Sequence, residues 1–318
     1  MIKKKWGGDL KSLSNIFGIV GSNGNHGCLW CHCNLSEPVK INENYPFKRT
    51  QELSNENSTE KKLGYTNKPI IDFIEYEDII FDMLHLHLRI TDKLFECLLQ
   101  KLIDFDNDES IDAEQRVCVK IFQSFLENDC NITKPFYSDE NDENISFRTL
   151  NDEERHVIFE KLFEESKSGF IDLFANCRIL EEYDFNLEVF VWREFMLIFK
   201  FIKERDFQES FLNEGETEIL KSRLRDWLYY YKRTDTLQNT SPYVHIFVFH
   251  VPEFLNKHGQ INLYNCQGLE KLNDIITQFY HNSTNKHKEN NNYIIQLIKK
   301  INRTELFNTR TKTAYGRH

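Results

Sequence analysis

The sequence contains no apolar run long enough to cross a membrane. Its most apolar stretch, Val189 to Ile202, is interrupted by Arg193, Glu194 and Lys200, whereas a transmembrane helix needs about 20 largely apolar residues. The first residues are basic and polar, and they lead into no apolar segment of the kind that a secretory signal requires. We therefore expect an intracellular protein that is not secreted and has no membrane partner.

The sequence also lacks an excess of positive charge. Its formal net charge is −10, which argues against a protein whose entire surface binds nucleic acid. Residues 286–318 differ from the rest of the chain in charge, because they contain eight Lys or Arg and only two Glu. This basic tail is either a solvated end of the chain or a segment that contacts phosphates.

A fixed-period repeat is absent too, and strand-like patterns are few. The hydrophobic fraction of 40% and the aromatic fraction of 14% are those of a globular protein. Apolar residues recur at helical spacing in most of the chain after residue 70, which predicts a mainly helical body. Asn151 and Glu154 predict a capping box at the start of one of these helices.

Cysteine is present in a pattern that favours a metal site. In a reducing compartment, closely spaced cysteines indicate metal binding more often than a disulfide. Cys28 and Cys31 are separated by two residues and follow a glycine-rich stretch, a spacing that lets both thiolates point at one zinc ion. The pair supplies half of a tetrahedral site, so two further ligands are required.

A pair of histidines, His245 and His250, could complete such a site. On a straight helix an offset of five residues would turn the two rings about 140° apart. They could reach one ion if the helix begins or bends between them. Cys33, His26 and His85 are the alternative ligands.

Several motifs in one order resemble the catalytic core of the V(D)J (RAG-type) recombinase and Transib-type DDE transposases. Gly7-Gly8-Asp9-Leu10-Lys11 precedes the Cys28–Cys31 pair, and Asp9 lies nineteen residues before Cys28. His250-Val251-Pro252-Glu253 completes the histidine motif, and Glu270 follows His250 by twenty residues. Asp82-Met83-Leu84-His85 is a weaker match to the segment that the family carries between these blocks.

The resemblance implies roles for these residues. Asp9 and Glu270 match the second and third catalytic carboxylates, which in the family hold Mg²⁺ or Mn²⁺ for cleavage and transfer of DNA strands. Cys28, Cys31, His245 and His250 match the ligands of a structural zinc. DNA is the implied partner, with a homodimer or an accessory recombinase subunit as protein partners and the nucleus as the location. The basic residues expected to contact DNA are Lys286, Lys288, Lys299, Lys300 and Arg303.

The family's first carboxylate lies upstream of the segment that matches Asp9, so we expect the Mg²⁺ or Mn²⁺ site to be incomplete unless that carboxylate is supplied. Three hypotheses follow: a partial recombinase-like protein that is inactive alone, a zinc-stabilised helical module that binds DNA or protein, or an incomplete gene model whose upstream exon encodes the missing Asp.

For the fold, we expect a mainly α protein with a large helical insertion, an incomplete RNase H-like α/β remnant and a join stapled by zinc. The predicted segments are residues 1–34 (strand end, helix and CxxC half-site), 35–66 (polar loop), 67–240 (helical insertion), 241–285 (histidine half-site and the Glu270 helix) and 286–318 (basic tail).

Overall fold

A computed structural model describes residues 6–21, 24–37, 39–108, 110, 117–138, 145–163, 169–204, 211–234 and 240–261. The chain divides into two compact units, residues 1–264 and 265–318. All of the described residues belong to the first unit.

Two short parallel strands lie at the start of this unit. Strand β1 (Trp6–Gly8) pairs with β2 (Ile79–Phe81), so that Gly8 lies opposite Phe81. Strand β2 is completely buried, as expected for a parallel strand covered on both faces. Helix α1 (Leu10–Ile16) follows β1 directly, and the carboxylate of Asp9 accepts a hydrogen bond from the Ser12 amide at 3.4 Å. The two strands therefore bring residues 73 positions apart in the sequence to one small sheet.

The segment 35–66, expected to be a polar loop, contains a helix, so that expectation is wrong for α2 (Gln51–Glu60). Thr50 caps this helix by accepting a hydrogen bond from the Leu53 amide at 3.2 Å. Its buried face is polar: the Ser54 hydroxyl bonds with the hydroxyl of Tyr76 at 2.7 Å. A search for apolar periodicity misses such a helix, because the side chains that it buries are hydrophilic.

The rest of the described chain is mainly helical, as the sequence predicted. The elements are α3 (Met83–Asp106), α4 (Cys118–Asn128), α5 (Asp152–Phe163), α6 (Gly169–Leu173), α7 (Ile179–Glu182), α8 (Phe185–Lys203), α9 (Glu214–Thr234), α10 (Pro242–Phe249) and α11 (Val251–His258). An antiparallel hairpin of β3 (Phe136–Ser138) and β4 (Ile145–Phe147) precedes α5. The predicted capping box is confirmed, since Asn151 and Glu154 exchange two hydrogen bonds of 2.9 Å.

Aromatic side chains fill much of the helical core. Trp192 of α8 stacks on Phe163, and the indole of Trp227 of α9 donates to the Val191 carbonyl at 2.9 Å. Lys101 of α3 forms an ion pair with Glu188 of α8 inside this core, where both side chains are less than a tenth exposed. No helix in the described ranges is both long enough and apolar enough to span a membrane.

Candidate metal centre

Two cysteines and two histidines from opposite ends of the first unit meet in one buried cluster. One potential ligand atom from each of Cys28, Cys31, His245 and His250 lies within 4.8 Å of the others. Cys28 Sγ is 3.2 Å from His250 Nε2, and Cys31 Sγ is 3.2 Å from His245 Nε2. With Zn–S near 2.3 Å and Zn–N near 2.05 Å, tetrahedral geometry places sulfur and nitrogen about 3.6 Å apart. The observed spacing is within a few tenths of an ångström of that value, so the four residues fit one zinc ion.

A break in the helix brings the two histidines together. Helix α10 ends at Phe249 and α11 begins at Val251, which leaves His250 at the junction. Pro252 has no backbone N–H to continue the hydrogen-bond ladder, so the helix cannot run straight through this point. On a straight helix the two side chains would point about 140° apart. With the break between them, both imidazoles reach the same cluster, and their centroids lie 5.0 Å apart.

Aromatic rings hold the two imidazoles in place. Phe47 stacks on His250 with centroids 5.4 Å apart, and Tyr45 meets His245 edge-on at 5.1 Å. In most metal sites the second ring nitrogen of a ligand histidine donates to an oxygen. Here both Nδ1 atoms are buried without a hydrogen-bond partner among the described residues. The orientation of both rings therefore depends on packing against Phe47 and Tyr45, since neither Nδ1 is held by a hydrogen bond among the described residues.

The protonation of the cluster also suits a metal. Burial lowers the pKa of His245, which keeps the imidazole neutral and able to donate its lone pair. The pKa of Cys28 is well below the usual thiol range: although burial opposes ionisation, the hydrogen bond with Cys31 and the neighbouring histidines outweigh it. The pKa of Cys31 is raised, first by its bond to Cys28 and then by burial. A metal binds sulfur as thiolate, so its binding would displace any proton that the two cysteines hold.

The three alternative ligands lie outside the cluster. Cys33 is buried, and burial raises the pKa of its thiol to about 12. The Nδ1 atom of His26 hydrogen-bonds with the Cys33 carbonyl at 3.2 Å, while His85 is paired with Asp82.

Asp9 and Asp82 occupy equivalent positions at the carboxyl ends of β1 and β2. Each residue follows its strand directly and caps the next helix, Asp9 at α1 and Asp82 at α3. Asp82 is 2% exposed, accepts from the Leu84 amide at 3.0 Å and pairs with His85. Burial raises the pKa of the Tyr243 phenol in α10, and the charge of Asp9 raises it further.

The chain matches no family model and no curated protein sequence. The resemblance to recombinases consequently rests on the sequence motifs alone.

Several predicted site residues lie outside the described residues. They are Glu270, Lys286, Lys288, Lys299, Lys300 and Arg303.

Two further residues lie beside residues that the sequence singled out: Asp82, which the sequence analysis quoted only within a weaker motif match, and Arg49, which it did not mention. Asp82 follows an apolar run, Ile79-Ile80-Phe81, much as Asp9 follows β1, and this similarity could have identified it. Arg49 lies beneath the CxxC turn and had no comparable signal, because its partners are backbone atoms.

Proposed function

We propose that Cys28, Cys31, His245 and His250 bind one structural zinc ion, which fastens the CxxC turn to the junction of α10 and α11. The observation that carries this proposal is the convergence of four buried ligand atoms from residues more than 200 positions apart. Burial of two thiols and two imidazoles costs free energy, and coordination of one metal ion by all four would offset that cost.

Two sulfur and two nitrogen ligands in a tetrahedron favour zinc among the common metals. All four positions around the ion would be filled by protein, so the zinc would stabilise the fold and leave no place for a reacting water. Its binding free energy would contribute to folding, since the site exists only in the folded chain.

Metal analysis of the purified chain tests this proposal. We expect about one zinc per chain, lost when Cys31 is changed to Ser. Cys130, a buried cysteine of the helical body, provides the matched control, and Cys130→Ser should keep its zinc. A chain that contains no zinc after purification and refolding with zinc would refute the assignment.

A second candidate function concerns DNA recombination. We propose that the chain is related to the catalytic core of RAG-type recombinases and Transib-type transposases, with an RNase H-like remnant around β1 and β2. Asp9 directly follows β1, which pairs in parallel with β2. This position favours the proposal, because such cores carry a catalytic carboxylate at the carboxyl end of a strand. Glu270 would supply the third carboxylate, and Mg²⁺ or Mn²⁺ would bind when the first is also supplied.

Cleavage of labelled duplex DNA in the presence of Mn²⁺ tests this second function. We expect no cleavage by the chain alone, in agreement with the sequence-based hypothesis of an inactive partial recombinase. Cleavage that disappears in Asp9→Asn would contradict that expectation and would reveal an active enzyme.

The alternative, a zinc-stabilised module that binds DNA or protein without catalysis, makes its own prediction. Lys299, Lys300 and Arg303 would contact phosphates, so binding to duplex DNA should weaken steeply as salt rises. Replacing the three with Gln should reduce the salt dependence. Absence of binding at low salt would exclude the DNA-binding form of this alternative.

A further inference from the structure

A buried arginine lies directly beneath the CxxC turn. Arg49 is 3% exposed and immediately precedes Thr50, the cap of α2. A buried guanidinium is expensive unless its N–H groups are hydrogen-bonded, so the partners of this side chain indicate why it is there.

The partners are the carbonyl oxygens of the turn itself. Arg49 Nε donates to the Cys28 carbonyl at 2.9 Å and to the Cys31 carbonyl at 3.2 Å. Its Nη2 donates to the His26 carbonyl and to the Leu63 carbonyl, both at 3.0 Å.

Two further contacts keep the guanidinium in place. The guanidinium carbon lies 4.7 Å from the ring centroid of Tyr65, a favourable cation–π distance. The backbone N–H of Arg49 also donates a hydrogen bond to the Trp30 carbonyl at 3.3 Å. Nη1 is buried and has no hydrogen-bond partner among the described residues. The side chain is therefore fixed by the carbonyls and the ring, with the two N–H groups of Nη1 left unpaired among the described residues.

We infer that Arg49 is a positioning residue that orders the CxxC turn for zinc before the metal binds. One nitrogen bonds the carbonyls of both cysteine ligands, so it fixes the spacing between them. None of these bonds involves His245 or His250. The turn can thus hold its shape in the metal-free chain, and the histidines complete the site.

This inference rests on the proposed zinc function, and it explains how the protein would raise the affinity of the site for zinc. Ordering ligands in advance strengthens binding because less conformational freedom is lost when the ion arrives. Outer-shell groups that orient metal ligands typically change affinity about 10- to 100-fold. Lysine cannot replace the arginine, because a single ammonium group lacks the planar fork that reaches carbonyls in several directions.

The test compares Arg49→Lys with Arg155→Lys in the full chain. Arg155 is a similarly buried arginine of α5 that pairs with Asp92, far from the CxxC turn in the sequence. Zinc affinity is measured by competition with a chromophoric chelator, and backbone order in residues 26–34 by amide hydrogen exchange of the zinc-free chain. We expect Arg49→Lys to bind zinc about 10- to 100-fold more weakly and to lose exchange protection in this segment, and Arg155→Lys to match the wild type in both.

Each outcome decides the matter. Equal zinc affinity and equal exchange protection in the two variants would overturn the inference and leave Arg49 a structural residue only. If the wild type binds no zinc, the proposed zinc function fails, and the exchange comparison still shows whether Arg49 orders the turn. Should Arg49→Lys not fold, Tyr65→Leu removes the ring beneath the guanidinium and is expected to give a smaller loss of affinity, with Tyr65→Phe as its control.

Discussion

Removing a single imidazole should separate the contribution of zinc from that of packing. His250→Phe keeps an aromatic ring against Phe47 and Trp30, which lie 5.4 Å and 5.9 Å from the imidazole, but it removes a metal ligand. His258 of α11 provides the matched control. It is also buried, its ring stacks on Phe254, and its Nε2 donates to the Glu77 carbonyl at 2.8 Å.

The size of the effect follows from mass action. With free zinc at about 1,000 times its dissociation constant, binding stabilises the folded state by about 4 kcal/mol. For a domain of this size, 1 kcal/mol corresponds to a change in Tm of about 2–4 °C. Chelation of zinc from the wild type should therefore lower the Tm by about 8–16 °C. The hydrogen bond lost in His258→Phe is worth about 1 kcal/mol.

Thermal unfolding with zinc, and again with a chelator, measures these differences. We expect the Tm of the wild type and of His258→Phe to fall on chelation by the same amount, and the Tm of His250→Phe to stay unchanged by either addition. A zinc response that survives in His250→Phe would show that the ligand is misassigned. A wild type whose Tm does not change when its zinc is removed would show that the ion does not stabilise the fold.

Two other predictions concern the helical body. Lys101→Met leaves the buried Glu188 carboxylate without its cation and should lower the free energy of unfolding, measured with urea, by about 3–5 kcal/mol. Adding Glu188→Gln should recover most of that loss. Equal losses in the single and double variants would contradict this. The hydrogen bond from Arg148 lowers the pKa of Glu154, so this carboxylate stabilises the fold above its unfolded pKa of about 4.3 and ceases to do so as the pH falls through the lower, folded value. Unfolding free energies between pH 3 and pH 6 should consequently fall less steeply in Glu154→Gln, and identical slopes would refute the assignment.

The sequence predicted the elements whose signal is local. The apolar periodicity after residue 70 predicted the helical body, in which α3 is the longest described helix, and the Asn151–Glu154 pair predicted the capping box. Both depend on residues three or four apart, which touch whenever a helix forms.

The metal centre was predicted only because several motifs were considered together. Neither the CxxC pair nor the two histidines alone specified that they would meet, because the fold that joins them involves long-range packing. The sequence did offer one unused sign of the geometry: Pro252, which ends one helix just where His250 has to turn toward the cysteines.

Other features could not be predicted in this way. Helix α2 was not predicted because its buried side chains are polar. The pairing of β1 with β2 was not predicted because three-residue strands carry almost no periodic signal. Without that pairing, Asp82 could not be placed beside Asp9. Glu270 and the basic tail remain predictions from sequence.

During synthesis of the chain, the cysteines of the metal centre are made well before its histidines. Cys31 and His245 are 214 positions apart, which at about 5–20 residues per second corresponds to roughly 10–40 s of synthesis. During that interval the thiols are present and the imidazoles are not. Arg49, in contrast, is synthesised within a second or a few seconds of the cysteines at the same rate. If Arg49 orders the CxxC turn in the nascent chain, as proposed above, the two sulfurs would hold a zinc ion through two bonds until the histidines replace its remaining water.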